Sequence, residues 1–127
     1  MSALALWSGL NLLLMLVLAL NVSRLRIRNM KVKVDPVVLD KAVRAHGNNI
    51  EYVPAALFGM LVLVYMNIGS VWVHGLGATL FISRLLHAFG IQQITSGGPP
   101  PARIIGNLGT WAVLASVSVL LIVESLS

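Results

Sequence analysis

Residues Ala3–Val22 form an unbroken run with no charged side chain. At a helical rise of about 1.5 Å per residue the run reaches roughly 30 Å, the thickness of a bilayer's hydrocarbon core. A chain of 127 residues that is 57% hydrophobic and 10% charged cannot surround such a run with a water-facing shell, because soluble domains carry about 25% charged residues. The same numbers exclude intrinsic disorder. The run therefore reads as a membrane span. No basic residue precedes it and the positive charges follow it, the reverse of a secretory signal, so it reads as a retained anchor with its amino terminus outside the cytoplasm.

Three further apolar stretches give an expected fold class: an all-α integral membrane protein, one domain over residues 1–127, built as a four-transmembrane-helix bundle. The spacing predicts helices over about 3–22, 36–66, 71–90 and 102–123. Asp35 followed by Pro36 marks a helix start, with an acceptor at the N-cap and proline at the first helical position. The second stretch is uncharged only from Tyr52 to Met66, too short to cross a bilayer unless it draws in Asn48 and Glu51. Pro54 is expected to kink it by displacing the preceding turn. Asn67 and Gly69 predict a tight turn, and Gln92 to Pro101, with Gly97, Gly98 and three prolines, predicts a loop.

Charge fixes the expected orientation. Ser23–Asn49 holds Arg24, Arg26, Arg28, Lys31, Lys33, Lys41 and Arg44 against Asp35 and Asp40, a surplus of five that equals the net charge of the whole chain. The loop near Asn67 has no basic residue, and Arg103 follows the third loop. Loops one and three are then cytoplasmic and both termini lie on the other side. Asn48, Glu51, Arg84, His87 and Arg103 all fall near the cytoplasmic ends of helices two, three and four.

Arg44, Asn48 and Glu51, spaced four and three apart, share one helical face, as do Arg84 and His87. A carboxylate inside hydrocarbon costs a few kcal/mol unless paired, so an ion pair between Glu51 and Arg84 is the simplest expectation. Arg44 could pair with Glu51 or snorkel to solvent, and Arg84 could snorkel too. Arg103 opens helix four, where a cation is either a topology signal or part of an anion site. Guanidinium forks suit carboxylates, so a small polyanion is the natural partner. Asn11 and Asn107 read as interhelical hydrogen-bonding groups, and Ala112 with Ser116 as a close-packing pair. Trp7, Trp72 and Tyr65, with His74, read as interfacial.

Other chemistries find little support. The chain has no cysteine, which removes thiol nucleophiles and thiolate zinc sites. His46, His87 and Glu51 match no zinc spacing, so no metal is expected. With 6% aromatic residues there is no stripe for stacking bases, and no nucleic-acid partner is expected.

The run Arg44-Ala45-His46-Gly47-Asn48-Asn49-Ile50-Glu51-Tyr52-Val53-Pro54 resembles the signature R-A-H-x-N-x-x-E-x-x-P of the MAPEG family, the membrane-associated proteins in eicosanoid and glutathione metabolism. Ser83-Arg84-Leu85-Leu86-His87 resembles that family's R-x-x-H motif, and Ser23-Arg24-Leu25-Arg26 its arginine pair at the end of helix one. The resemblance covers nearly the whole chain and is closest to the short bacterial branch. It implies a homotrimer in a bacterial inner membrane that binds glutathione between subunits. By the same resemblance Arg24, Arg44, Asn48, Glu51, Arg84 and His87 would hold glutathione, with Glu51 at its amino group, and Arg103 would stabilise the thiolate. Gly47 and Ile91 depart from members that carry arginine and tyrosine there, losing a carboxylate partner and a hydroxyl. The expected function is a glutathione-dependent transferase or peroxidase, with glutathione as co-substrate, acting on lipophilic electrophiles that arrive through the bilayer. A lipid-binding or scaffold protein of the same fold, or a carrier using Glu51, are the other readings.

Overall fold

The structure is a computed structural model and describes residues 1–94 and 97–126. Its four elements are α-helices: α1 (Ser2–Lys31), α2 (Pro36–Tyr65), α3 (Ser70–Gln92) and α4 (Pro101–Leu126). Thr95 and Ser96, in the loop expected from Gln92 to Pro101, lie outside the described residues.

Helix α1 runs nine residues beyond the expected end at Val22. Nothing in Ser23–Lys31 breaks a helix, and Arg28 and Lys31 in its last turn complement the partial negative charge of that end. The polar segment is thus the tip of a helical hairpin, not a loop. Asn29 Oδ1 accepts from the Val34 N–H at 2.9 Å and closes the short connection. Asp35 caps α2 as expected, its Oδ1 accepting from the Val37 N–H at 2.9 Å, with Pro36 at the first turn. Val22, Leu25 and Ala42 bury themselves between the two arms.

Helix α2 continues through Pro54 to Tyr65. It ends in a Schellman motif: Asn67 N–H donates to Val64 O and Ile68 N–H to Leu63 O, both at 3.1 Å. The motif needs a left-handed residue, and Asn67 supplies it with φ of 63°. Ile68 then packs back on the core that includes Leu63. Helix α4 begins at Pro101, which needs no N–H partner there.

Helices α2 and α3 each touch all three others, whereas α1 and α4 lie on the outside. This arrangement explains a departure from four equal spans. By length and composition α1, α2 and α4 qualify as membrane-crossing helices, and α3 does not. Helix α3 carries Ser83, Arg84 and His87 on its buried side, and these polar groups lower its hydropathy without meeting lipid, because neighbouring helices cover them. The outer surface is the reverse: Leu12, Leu16, Phe58, Phe89, Leu108 and Ile122 are exposed. An apolar exterior of this extent belongs to lipid, so the chain is an integral membrane protein.

The interior is divided by depth. Ala56, Met60, Leu63, Leu76, Leu80 and Val113 belong to one apolar cluster toward the termini. Nearer the hairpin the interior becomes polar, with Asn49, Ser83, Arg84, His87 and Thr110 all buried.

Two packing expectations are corrected, that for Asn11 and that for Ala112 with Ser116. Asn11 is fully buried, but its Nδ2 donates within its own helix, to Trp7 O at 2.9 Å, because a side chain four residues on reaches that carbonyl more easily than a neighbouring helix. Asn107 is half-buried. Ala112 and Ser116 are exposed. The close α3–α4 approach is made instead by Gly90, Gly106 and Gly109. A Cβ on Gly106 would lie 2.6 Å from His87 N and Ser83 O, one on Gly90 would strike the Arg103 backbone, and one on Gly109 would strike Ser83 Oγ. Trp7 is half-buried, donating through Nε1 to exposed His74 Nδ1 at 3.2 Å. Trp72 and Tyr65 are exposed.

Candidate functional site

At the polar end of the bundle Arg44, Gly47, Asn48 and Glu51 of α2, His87 and Ile91 of α3, and Arg103 of α4 line a cleft of about 210 Å³. Local sequence explains each contribution. The spacing 44, 47, 48, 51 is one face of α2. His87 and Ile91 are four apart on α3. Arg103 joins them because Gly90 and Gly106 let the first turns of α4 lie directly against the last turns of α3. Lys41 Nζ donates to Gln92 O at 3.1 Å and Ile94 O at 2.7 Å. It ties the hairpin to the end of α3, so the first and third connections share one end of the molecule.

Arg84 lies behind this lining and is 1% exposed. Its Nη1 donates to Asn48 Oδ1 at 2.9 Å and to Asn48 O at 3.3 Å, and its Cζ stands 5.7 Å from the centre of the Tyr52 ring. The expected Glu51–Arg84 ion pair is not formed. Asn48 is one turn nearer on the same face and offers two oxygens, and Glu51 is exposed at the cleft. Nor does Arg44 pair with Glu51: its Nε meets Asp40 Oδ2 at 2.7 Å, both side chains being well exposed. Arg24 is not brought into the cleft. It is exposed on α1 and donates to Asn21 Oδ1 at 3.3 Å.

The electrostatics of this region are unbalanced. Arg84 Nε and Nη2 and Arg103 Nε are buried with no hydrogen-bond partner among the described residues. Leaving charged donors buried and unpaired costs several kcal/mol. Glu51, the carboxylate of the cleft lining, is engaged with none of them. The cleft itself presents the guanidinium groups of Arg44 and Arg103 and the carboxylate of Glu51, so it can receive an anion beside a cation, that is, a zwitterion.

Four participants were not singled out from sequence. Asn49 is 2% exposed with neither amide atom partnered; it lies inside the signature run but differs in no visible way from Asn48. Lys41 looked like one more solvated cation. Gly106 and Gly109 carry a readable signal, two glycines on one face at one end of an apolar helix, where a missing side chain lets a neighbouring backbone come close.

Fold and cleft together define a four-helix integral membrane protein with a cation-rich site near one end of the bundle. The MAPEG family model matches residues 4–123, and the chain belongs to that family. It is similar to the inner membrane protein YecN of Escherichia coli, with 37% identity over 92 residues that cover 70% of each chain; the same figures hold for strain K12 and strain CFT073.

Proposed function

We propose that the protein is a thiol-dependent membrane transferase or peroxidase that binds glutathione, or a related small thiol, in the cleft and presents its sulfur to lipophilic substrates. One observation carries the reading: the cleft lining sets the guanidinium groups of Arg44 and Arg103 near one carboxylate, Glu51, that pairs with neither among the described residues. A zwitterionic peptide thiol supplies both missing partners, carboxylate for the arginines and amino group for Glu51. Asn48, held by Arg84, and His87 fix the ligand's backbone.

The chemistry needs little from the protein. A free thiol has a pKa of about 8.5 and reacts as the thiolate. Arg103 beside the sulfur favours the charged form. The sulfur lone pair attacks the electrophilic atom, the new bond forms from sulfur, and the leaving group departs with its bonding pair. With a hydroperoxide the attacked atom is oxygen, and a second thiol completes the reduction to alcohol, water and disulfide. The electrophile enters sideways from the bilayer, and no protein nucleophile is required.

We further propose a homotrimer with the site completed between subunits. The modest cleft volume supports this, as ligand pockets usually measure about 300–1,000 Å³. So does the outward placement of Arg24, which would then serve a neighbour. The relatives' description as inner membrane proteins supports a bacterial inner-membrane location, and the seven cations of the hairpin support a cytoplasmic hairpin with both termini opposite. A scaffold of the same fold is the second reading, favoured by the structural use that Arg84 makes of Asn48.

The deciding experiment is a glutathione titration of detergent-purified protein, following the ultraviolet thiolate difference band, with Arg103→Ala alongside. A saturable band that the variant loses is the expected result. A band that survives reassigns thiol activation to Arg84. Neither band nor heat of binding leaves the scaffold reading.

A further inference from the structure

Most cations of this chain lie away from the cleft. Arg24, Arg26, Arg28, Lys31 and Lys33 fall within ten residues, and all are exposed. No acidic residue precedes Asp35. The two carboxylates that follow are both engaged, Asp35 as the cap of α2 and Asp40 with Arg44. Arg24 reaches only the neutral Asn21. Arg26, Arg28, Lys31 and Lys33 have no side-chain partner among the described residues. The hairpin thus holds a concentrated positive charge that no carboxylate among the described residues neutralises.

Depth and geometry say what neutralises it. Helix α1 has 30 residues, about 45 Å, or roughly 15 Å more than a hydrocarbon core. With Ala3–Val22 in that core, Ser23–Lys31 runs through the headgroup layer. Arg28 and Lys31, spaced three apart, form one stripe, and Arg24, which the thiol reading assigns to a neighbouring subunit, is left out of it. Beside it Ile27 and Met30 are 55% and 80% exposed, and Val32 beyond them 62%. Unpaired cations interleaved with bare apolar side chains match a surface where phosphates meet acyl chains. A soluble polyanion would answer the charges and leave Ile27, Met30 and Val32 in water. The cleft between the two arms, about 750 Å³, is lined in part by Asp35 and Asp40, so the anion-binding face is the outer side of α1.

We propose that the outer stripe at the carboxyl end of α1 binds anionic phospholipid headgroups of its own leaflet. The inference is independent of the thiol reading. The test is thermal unfolding of the full chain in a neutral detergent, titrated with phosphatidylglycerol or with phosphatidylcholine of the same acyl chains. Phosphatidylglycerol is expected to raise the midpoint at a concentration at least about tenfold lower, each cation at the surface contributing about fivefold. Sodium chloride at about 0.5 M is expected to erase most of the difference. The combined variant R28Q/K31Q loses the preference, and R28K/K31R keeps it, because charge and not fork geometry is required. If the combined variant does not fold, R28Q and K31Q singly, each lowering the preference about threefold to fivefold, carry the test. Equal response to the two lipids, or a preference that survives these neutral variants, overturns the proposal. So does protection by inorganic phosphate or a DNA oligonucleotide at concentrations as low as those of phosphatidylglycerol, which would assign the stripe to a soluble polyanion.

Discussion

Arg84 shows how a single residue can be legible in kind and not in partner. Its charge and depth announce that it must be satisfied inside protein, and its 1% exposure agrees. Sequence offers Glu51 as the opposite charge, but the fold delivers Asn48. Hydrogen bonds between membrane helices couple by about 0.6–1.7 kcal/mol, and those with a charged member reach about 1.5–3 kcal/mol. A double-mutant cycle on Arg84→Met and Asn48→Ala, read by unfolding in detergent, is therefore expected to give a coupling of about 1–2 kcal/mol. The parallel cycle on Arg84→Met and Glu51→Gln is expected to be additive within about 0.5 kcal/mol. A large coupling in the second cycle would restore the ion pair that the structure does not contain. Glu51→Gln belongs also to function: on the thiol reading it weakens glutathione binding while leaving the unfolding midpoint unchanged, since Glu51 is exposed.

At the scale of elements, the seam between α3 and α4 decides whether there is a site at all. Gly106 sits where a Cβ would lie 2.6 Å from the α3 backbone, so Gly106→Ala must push the helices apart. The expected cost is about 1–3 kcal/mol, with loss of the cleft as Arg103 moves from His87. Gly75, on the same helix pair but with open space at its Cβ, provides the contrast: Gly75→Ala is expected to be neutral or stabilising by up to about 1 kcal/mol. Unfolding midpoints of the two variants check both statements, and equal effects would mean that the seam is not the cause. The turn after α2 makes a second prediction. Asn67 holds a left-handed φ of 63°, so Asn67→Val is expected to destabilise by about 1–2 kcal/mol and Asn67→Gly to be tolerated. The start of α2 and the turn at Asn67 were readable because caps and left-handed turns are local events. The end of α1 was not, because the bilayer ends a hydrophobic run without ending a helix.

For the molecule as a whole, the apolar surface states the environment, and the proposed orientation rests on the charge of the hairpin. A reporter fused to the carboxyl terminus is expected to be active only when it functions outside the cytoplasm, and reversing the charge of the hairpin should weaken that bias. Sedimentation of the detergent complex, corrected for bound detergent, is expected to give three subunits. A monomer that still binds glutathione would remove the need for a shared site and for Arg24 in it.

Sequence by itself determined the solvent, the number of helices, the polarity of the two ends and the residue types that meet in the cleft. These follow from hydropathy, helical period and charge placement, all of which act along the chain. The tertiary structure alone decided that α2 and α3 each touch every other helix, that Arg84 holds Asn48, and that glycines at 90 and 106 bring Arg103 to His87. Those outcomes depend on how segments far apart in the chain approach one another. No spacing within one helix encodes them, because the choice between Glu51 and Asn48 as a partner is one helical turn of approach.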